Sequence, residues 1–64
     1  MKIIIKRDIK SDSLLPEIAG RVIAQKGDIL DVPEERKNWI NGQWETKIVF
    51  GRFYETIRRG RDYE

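Results

Sequence analysis

The sequence predicts an all-β protein, or a mostly β protein with one short helix, built as a small five-stranded barrel. Residues 2–6 (KIIIK) are rich in β-branched isoleucine, which favours a strand. In residues 44–50 (WETKIVF) the two-residue period of a strand places Trp44, Thr46, Ile48 and Phe50 on one face. Glycines and polar residues between the apolar segments provide turns. Short strands at this spacing are typical of small barrels, whose closure removes exposed sheet edges. The five predicted strands span residues 2–6, 18–25, 29–32, 44–50 and 53–57.

Each predicted strand offers one face to the core, because successive side chains of a strand point to opposite sides. In the first strand Ile3 and Ile5 share one face and Ile4 lies on the other. The residues expected to face inward are Leu30, Val32, Trp44, Phe50 and Phe53. Truncating one of the three aromatic residues among them is expected to cost ~3–5 kcal/mol. Residues 8–16 are rich in turn-forming side chains and predict a loop, from which Leu14 and Leu15 would fold back over the core.

Residues 33–42 (PEERKNWING) allow two interpretations. Pro33 suits the first position of a helix, the acidic pair after it suits the helix dipole, and the glycine at the end suits a helix stop. The Asn-Gly pair, in contrast, is the strongest short signal for a β-hairpin. The order of charges favours one to two turns of helix. Trp39 would then lie half exposed on the helix while Trp44 fills the core; in a hairpin the two rings would share a face.

Length and composition exclude several classes of protein. A chain of 64 residues forms one domain at most, residues 1–64, and buries only ~60% of its unfolded surface. Since His and Cys are absent, zinc fingers, cysteine redox motifs and Ser-His or Cys-His catalysis are excluded, and no cofactor or metal is expected. The N-terminal apolar run ends at Lys6, too short for a signal peptide or membrane span, so we expect a cytoplasmic protein without a membrane partner. Residues 58–64 (RRGRDYE) predict a frayed tail.

Two local patterns resemble known proteins. The segment "VIAQKGDILDV", residues 22–32, resembles a hairpin of SH3-like barrels, which implies an SH3-like small barrel as the fold. The longer segment "KGDILDVPEERKNWINGQWE", residues 26–45, is similar to a pattern of very small bacteriophage proteins. That second resemblance implies a phage-encoded accessory or virion-associated protein without enzymatic activity, located in the host cytoplasm or in the virion.

Acidic side chains provide the only candidates for chemistry. Asp28, Asp31, Glu34 and Glu35 lie close together in sequence, and paired carboxylates can act as general acids and bases. Their positions, however, are those of turn residues and of acids that begin a helix. Since the chain has no His or Cys and little room for a pocket, we expect it not to be an enzyme.

Aromatic and arginine side chains favour binding of a protein partner. Two Trp, two Tyr, two Phe and seven Arg occur in the 64 residues, and such side chains anchor protein interfaces. A surface of this kind would act by occlusion or bridging, and an exposed edge strand or Trp patch would favour a symmetric homodimer. The residues expected to contact the partner are Trp39, Tyr54, Arg36, Arg52, Arg58 and Arg59.

Nucleic-acid binding is the alternative hypothesis. In the C-terminal third, residues 47–61 contain five basic residues against one acid, Glu55. Phe53, Tyr54 and Tyr63 would supply rings for stacking, as in barrels that bind single strands. The net charge of +2 is modest for such a protein. The residues that would contact phosphate are Lys47, Arg52, Arg58, Arg59 and Arg61.

Overall fold

The computed structural model describes residues 1–12 and 19–64, which are all-β and contain no helix. The predicted all-β class is therefore confirmed for the described part of the chain. Five of its seven strands contain only two or three residues, and the two longest form one hairpin. The strands are β1 (Lys2–Ile4), β2 (Ile9–Lys10), β3 (Val22–Ala24), β4 (Ile29–Asp31), β5 (Arg36–Lys37), β6 (Trp44–Phe50) and β7 (Phe53–Arg58).

The strands pair into three small antiparallel sheets, in the orders β1-β4, β2-β3 and β5-β6-β7. Most of these strands are very short, and no ladder of hydrogen bonds joins one sheet to the next. Among the described residues none of the sheets closes on itself, so the predicted SH3-like five-stranded barrel is not confirmed.

The core forms where the inner faces of the three sheets meet. In β1 and the residue after it, Ile3 and Ile5 are buried and Ile4 is exposed, as the alternation predicts. Leu30 and Val32 also face inward, as expected. The buried cluster consists of Ile3, Ile5, Ile9, Ala24, Val32, Ile48, Ile57 and Tyr63.

The C-terminal residues do not form the frayed tail that the sequence predicts for residues 58–64. Residues 62–64 pair with β1 and its extension: Ile4 and Glu64 exchange two backbone hydrogen bonds of 3.0 Å, and the Lys6 N–H donates to the Asp62 carbonyl at 2.8 Å. Asp62 and Tyr63 are fully buried. The composition of this segment is polar, but backbone pairing and one aromatic ring hold it in place. We call residues 58–64 the C-terminal anchor.

The helix favoured for residues 33–42 is wrong: the segment belongs to a hairpin, but Trp44 pairs with Lys37 and not with Trp39, so the tight Asn-Gly turn of the alternative interpretation is not formed either. Arg36 and Lys37 form β5 and pair with Glu45 and Trp44 of β6. The connection is longer than a two-residue turn and contains a single helical turn, in which the Gly42 N–H donates to the Asn38 carbonyl at 2.7 Å. The order of charges within residues 33–42 predicted a helix, but the backbone of β5 forms its hydrogen bonds with β6. This tertiary pairing outweighs the local preference.

The aromatic residues assigned to the core are only partly inside. Trp44 is 47% exposed, because it begins β6 at the margin of the sheet. Phe50 packs against the core from a half-buried position, and its ring lies 5.9 Å from that of Phe53, which is also half-buried. The predicted lid residues Leu14 and Leu15 lie outside the described residues.

The β6–β7 hairpin is closed by a two-residue turn. Phe50 pairs with Phe53 across Gly51-Arg52. Gly51 has a φ of +61°, whereas Arg52 has a negative φ, which matches a type II′ turn with glycine at the first central position. This turn fixes the register of the hairpin, and therefore which backbone groups of β7 face β6.

Candidate functional site

The loop between β5 and β6, residues 38–43, is held by its own polar side chains; we call it the hairpin loop. The Asn38 N–H donates to the Gln43 carbonyl at 2.7 Å, which closes the loop. The Asn38 side chain accepts from the Ile40 N–H at 3.0 Å, and the Asn41 side chain accepts from the Gln43 N–H at 2.9 Å. Gly42, with a φ of +71°, allows the chain to leave the helical turn and enter β6. The loop is therefore a fixed structure.

This ordered loop presents large apolar side chains to solvent. Trp39 is 88% exposed and Ile40 is 79% exposed, and the half-exposed Trp44 follows the loop directly. Two cations, Arg36 and Lys37, precede it on β5, and neither forms an ion pair with any described residue. The end of the hairpin thus combines an exposed apolar surface with unpaired positive charge.

The outer face of the three-stranded sheet carries a row of charged and aromatic contacts. Arg36 and Arg58 lie on either side of Glu45 in the ladder, and Arg58 forms an ion pair with it at 3.4 Å. Further along, the Lys47 ammonium lies 4.6 Å from the centre of the Tyr54 ring. The Tyr54 side chain is 59% exposed, so this cation–π pair belongs to the surface.

The six residues predicted to bind a partner do not form one patch. Trp39 lies at one end of the β5–β6–β7 sheet, and Arg52 and Tyr54 lie at the other. The separation is close to the length of β6, about 17 Å from Trp44 to the partner of Tyr54. Arg36 and Arg58 lie between the two ends, and Arg59 points to Glu35 instead. Of the six predicted residues, only Trp39 and Arg36 lie in or next to the hairpin loop.

Three of the five cations predicted to contact nucleic acid are paired with carboxylates. Arg58 pairs with Glu45, Arg59 with Glu35 and Arg61 with Asp62. Lys47 and Arg52 form no ion pair with any described residue; Lys47 lies on β6 two residues from Glu45, the partner of Arg58, whereas Arg52 lies on the β6–β7 turn. Tyr63, counted as a stacking ring in the nucleic-acid hypothesis, is fully buried and is not available to a base.

The C-terminal anchor uses two of these arginines for structure. Arg59 donates two hydrogen bonds of 2.7 Å to the Glu35 carboxylate, and the Tyr63 hydroxyl donates to the same carboxylate at 2.8 Å. The Arg59 hydrogen bonds are the main reason that the pKa of Glu35 is lowered from its ordinary value, and burial raises the pKa of Tyr63. Glu35 therefore holds Arg59 and Tyr63 of the C-terminal anchor in place, and it is not one of the acids that begin a helix.

Asp62 is the second fixed point of the C-terminal anchor. Its buried carboxylate accepts from Arg7 at 2.6 Å, from Arg61 at 2.8 Å and from the Arg58 N–H at 2.9 Å. Burial by itself would raise the pKa of Asp62, but these hydrogen bonds outweigh it and lower the pKa. The C-terminal charges are thus largely used inside the molecule.

Sequence reasoning missed part of the exposed apolar surface. Ile40 was not among the residues predicted to contact a partner, and Trp44 was assigned to the core. The signal that could have found them is the pair of asparagines, Asn38 and Asn41, at the positions where their side chains cap backbone N–H groups in a turn. Recognising that pattern would have placed Trp39 and Ile40 on an ordered loop.

No protein-family model matches the chain, and no curated protein or solved structure is significantly similar to it. The resemblances to SH3-like barrels and to small bacteriophage proteins therefore stay predictions.

Within residues 1–12 and 19–64, no helix is long and apolar enough to cross a membrane.

Proposed function

We propose that this protein is a non-enzymatic protein-binding module whose contact surface is the end of the β5–β6 hairpin, with Trp39 at its centre. The single observation that carries the proposal is the 88% exposure of Trp39 on a loop held by its own hydrogen bonds. Ile40 and Trp44 extend the apolar surface, and Arg36 with Lys37 provides a cationic border. The module acts by occluding or bridging its partner.

The energetics of association favour this surface. A Trp side chain that becomes buried at the centre of an interface contributes more than most residues, and arginine is enriched beside it. Because the hairpin loop is ordered by the Asn38 and Asn41 side chains, binding costs little conformational entropy. Truncation of Trp39 is therefore expected to weaken the complex by about 2 kcal/mol or more, roughly thirtyfold in Kd.

A site-specific crosslinking experiment tests the proposal. A photoreactive phenylalanine analogue replaces Trp39 in one protein and Ile29 in a matched control; Ile29 is an apolar side chain of β4 that is 68% exposed. In extract of the source cells, position 39 should give one saturable protein adduct, and position 29 should not. Excess unlabelled wild-type protein should abolish that adduct, whereas the Trp39→Ala/Ile40→Ala variant should not compete. Equal labelling at both positions, or equal competition by the variant, would overturn the proposal.

Nucleic-acid binding remains the competing hypothesis, and a titration separates the two. Single-stranded and double-stranded DNA are titrated at about 50 mM and about 200 mM salt, because phosphate contacts make affinity steeply dependent on salt. We expect weak binding, because Arg58, Arg59 and Arg61 already hold carboxylates. Tight binding with a steep salt slope, lost both in Arg58→Ala/Arg59→Ala and in Lys47→Ala/Arg52→Ala, would favour nucleic acid over a protein partner.

A further inference from the structure

Strand β7 pairs with β6 on one side only. The two-residue turn determines which residues of β7 direct their backbone N–H and C=O groups towards β6 and which direct them away. In a two-residue hairpin the residues that flank the turn exchange both hydrogen bonds, so Phe53, Glu55 and Ile57 direct their N–H and C=O groups to β6. Tyr54, Thr56 and Arg58 direct theirs away. The Arg58 contacts confirm this phase: its N–H donates to the Asp62 carboxylate and its C=O accepts from the Asp62 N–H, both at 2.9 Å.

The same phase leaves four backbone groups open on the edge of β7. The N–H and C=O groups of Tyr54 and Thr56 face away from β6, and no described residue pairs with them. An edge of this kind is a template for an added strand. It lies at the opposite side of the sheet from β5, which leads into the hairpin loop.

A groove lies beside the open edge. Two adjoining depressions of about 510 and 490 Å³ run along β7, and both are lined by Asp12, Glu55 and Thr56. Phe53 and Phe50 line one end, where their rings lie 5.9 Å apart. The residues opposite β7 belong to the segment around β2, so the groove has the backbone edge as one wall.

Charge is distributed unevenly along this groove. Two carboxylates, Asp12 and Glu55, occupy the part that the two depressions share, and the Asp12 N–H donates to Glu55 at 3.2 Å. Arg52 lines one end. The other end is lined by cations and carboxylates together: Arg7, Lys10, Arg61, Asp8 and Asp62. A strand in the groove would therefore meet negative charge at its middle residue and an aromatic pair two residues away.

We propose that β7 accepts an extended segment of a partner protein as an added strand, with Lys or Arg opposite Glu55 and an apolar side chain opposite Phe53. Main-chain hydrogen bonds to Tyr54 and Thr56 would provide affinity, and the alternate side chains would provide specificity. This surface is distinct from the hairpin loop, so the inference goes beyond the proposed function and does not rest on it. Two separate contact surfaces would suit a protein that bridges its partners.

A second copy of the chain is a poor occupant of this edge. The antiparallel pairing that satisfies all four open groups sets Tyr54 of one copy opposite Thr56 of the other. The same register sets the two Glu55 side chains directly opposite each other, and like charges in that position are destabilising. Charged side chains in an edge strand are a common device against self-association, and Glu55 fits that role.

A synthetic peptide of palindromic pattern tests the proposal in either strand direction. The probe is the capped heptapeptide Thr-Val-Thr-Lys-Thr-Val-Thr, and its matched control carries Glu in place of the central Lys. In ¹H–¹⁵N NMR titrations, the Lys peptide should shift the amides of Tyr54 and Thr56 saturably and slow their hydrogen exchange. The amides of Phe53 and Glu55 already face β6 and should keep their exchange rates. The Glu peptide should bind about tenfold more weakly.

Two substitutions decide the question: Glu55→Lys reverses the charge in the groove, and Thr56→Pro blocks the open edge of β7. Glu55→Lys should reverse the preference, so that the Glu peptide binds more tightly than the Lys peptide. Thr56→Pro removes an outward N–H without removing a bond to β6, and should abolish binding of both peptides. If that variant fails to fold, the charge exchange still decides the question. Trp39→Ala/Ile40→Ala should bind the Lys peptide like wild type, which separates this test from the proposed function.

Several outcomes would overturn the inference. Equal affinity for the two peptides, an unchanged preference in Glu55→Lys, or no shift at millimolar peptide would each do so. Shifts confined to Trp39 and Ile40 would assign the peptide to the hairpin loop instead. Shifts of Tyr54 and Thr56 that depend on protein concentration alone would identify a second copy as the occupant.

Discussion

The C-terminal anchor and the hairpin loop treat their aromatic residues in opposite ways. Tyr63 is fully buried, and its hydroxyl donates to the Glu35 carboxylate. Trp39, in contrast, lies 88% exposed, although its loop is equally well provided with hydrogen bonds. The hydrogen bonds of the anchor therefore stabilise the fold, whereas those of the hairpin loop hold an apolar side chain in a position exposed to solvent.

This difference also separates the arginines. The anchor's Arg58, Arg59 and Arg61 form ion pairs with Glu45, Glu35 and Asp62. Arg36, beside the hairpin loop, lies opposite Glu45 in the ladder but forms no ion pair with any described residue. A cation that already has an acidic partner gains less from a new one. Substitutions in the anchor should therefore change stability, and substitutions in the loop should change binding.

The largest effect is expected from Tyr63→Ala. Loss of this buried ring should cost ~3–5 kcal/mol, comparable with the whole stability of a domain of this size. Urea denaturation followed by circular dichroism should find the variant largely unfolded. Tyr54→Ala is the matched control, because that ring is 59% exposed and its loss should change the free energy of unfolding by less than about 0.5 kcal/mol. If Tyr63→Ala had the same urea midpoint as wild type, Tyr63 would not stabilise the fold and the two regions would not differ as described.

Asp62→Asn should come next, with a loss of about 1–3 kcal/mol. The amide keeps the size of the side chain but leaves Arg7 and Arg61 without their carboxylate. Both arginine side chains are about half exposed, so water compensates part of the loss and the effect stays below that of a fully buried pair. Asp31→Asn, at a carboxylate that is 78% exposed, should change the urea midpoint little. An equal effect of the two substitutions would contradict the role given to Asp62.

Acid should weaken the anchor through the same carboxylates. The pKa values of Glu35 and Asp62 are lowered in the folded protein, so the unfolded chain binds their protons more tightly. The stability they contribute is present above their ordinary values of 4.5 and 3.8 and is lost as the pH falls through the lowered pKa values. Thermal melts from about pH 7 to about pH 3 should show this decline. The Glu35→Gln/Asp62→Asn variant should show a flatter profile, and an unchanged slope would contradict this assignment.

Gly42→Ala tests the order of the hairpin loop without removing an apolar side chain. At a φ of +71° an alanine is strained by about 1–2 kcal/mol, so the loop should lose order while Trp39 stays present. Hydrogen exchange at Ile40 and Gln43 should accelerate, and crosslinking from position 39 should weaken. Full crosslinking in a disordered loop would mean that the fixed geometry is not needed for binding.

The smallest effect on stability is expected from Trp39→Ala. Because the side chain is exposed, its removal should change the free energy of unfolding by less than about 0.5 kcal/mol in urea denaturation. As an unlabelled competitor, the same variant should fail to reduce the saturable adduct that forms from the photoreactive residue at position 39. A large loss of stability would show that Trp39 belongs to the core and would remove the main support for the proposed function.

The strands with a sustained two-residue period could be predicted from the sequence. Strand β6 has the predicted bounds. Ile3 and Ile5 share one face, as predicted, and that face is the buried one, whereas Ile4 is exposed. The segment around β5 could not be predicted in the same way. Its local signals suit a helix as well as a hairpin, and pairing with β6, which is a tertiary contact, decides between them.

The candidate site was predicted in part. Trp39 was identified from its place beside the Asn-Gly pair, while the predicted set of arginines was too wide. Arg58 and Arg59 look free in the sequence because their partners, Glu45 and Glu35, lie far away along the chain. Burial of Tyr63 depends on β1 and Glu35 together, and no pattern within a polar seven-residue segment can indicate it.

The position of β1 between β4 and the C-terminal anchor also sets the order of folding. The first strand has both of its neighbours far away in the sequence, one around Leu30 and one around Tyr63. Contacts between such distant residues require closure of long loops before they are stabilised, so folding is slow for the length of the chain. Until Tyr63 is available, Ile3 and Ile5 lack part of their covering surface. The emerging polypeptide is therefore expected to stay unfolded, and most prone to aggregation, until Tyr63 and Glu64 are available to pair with β1.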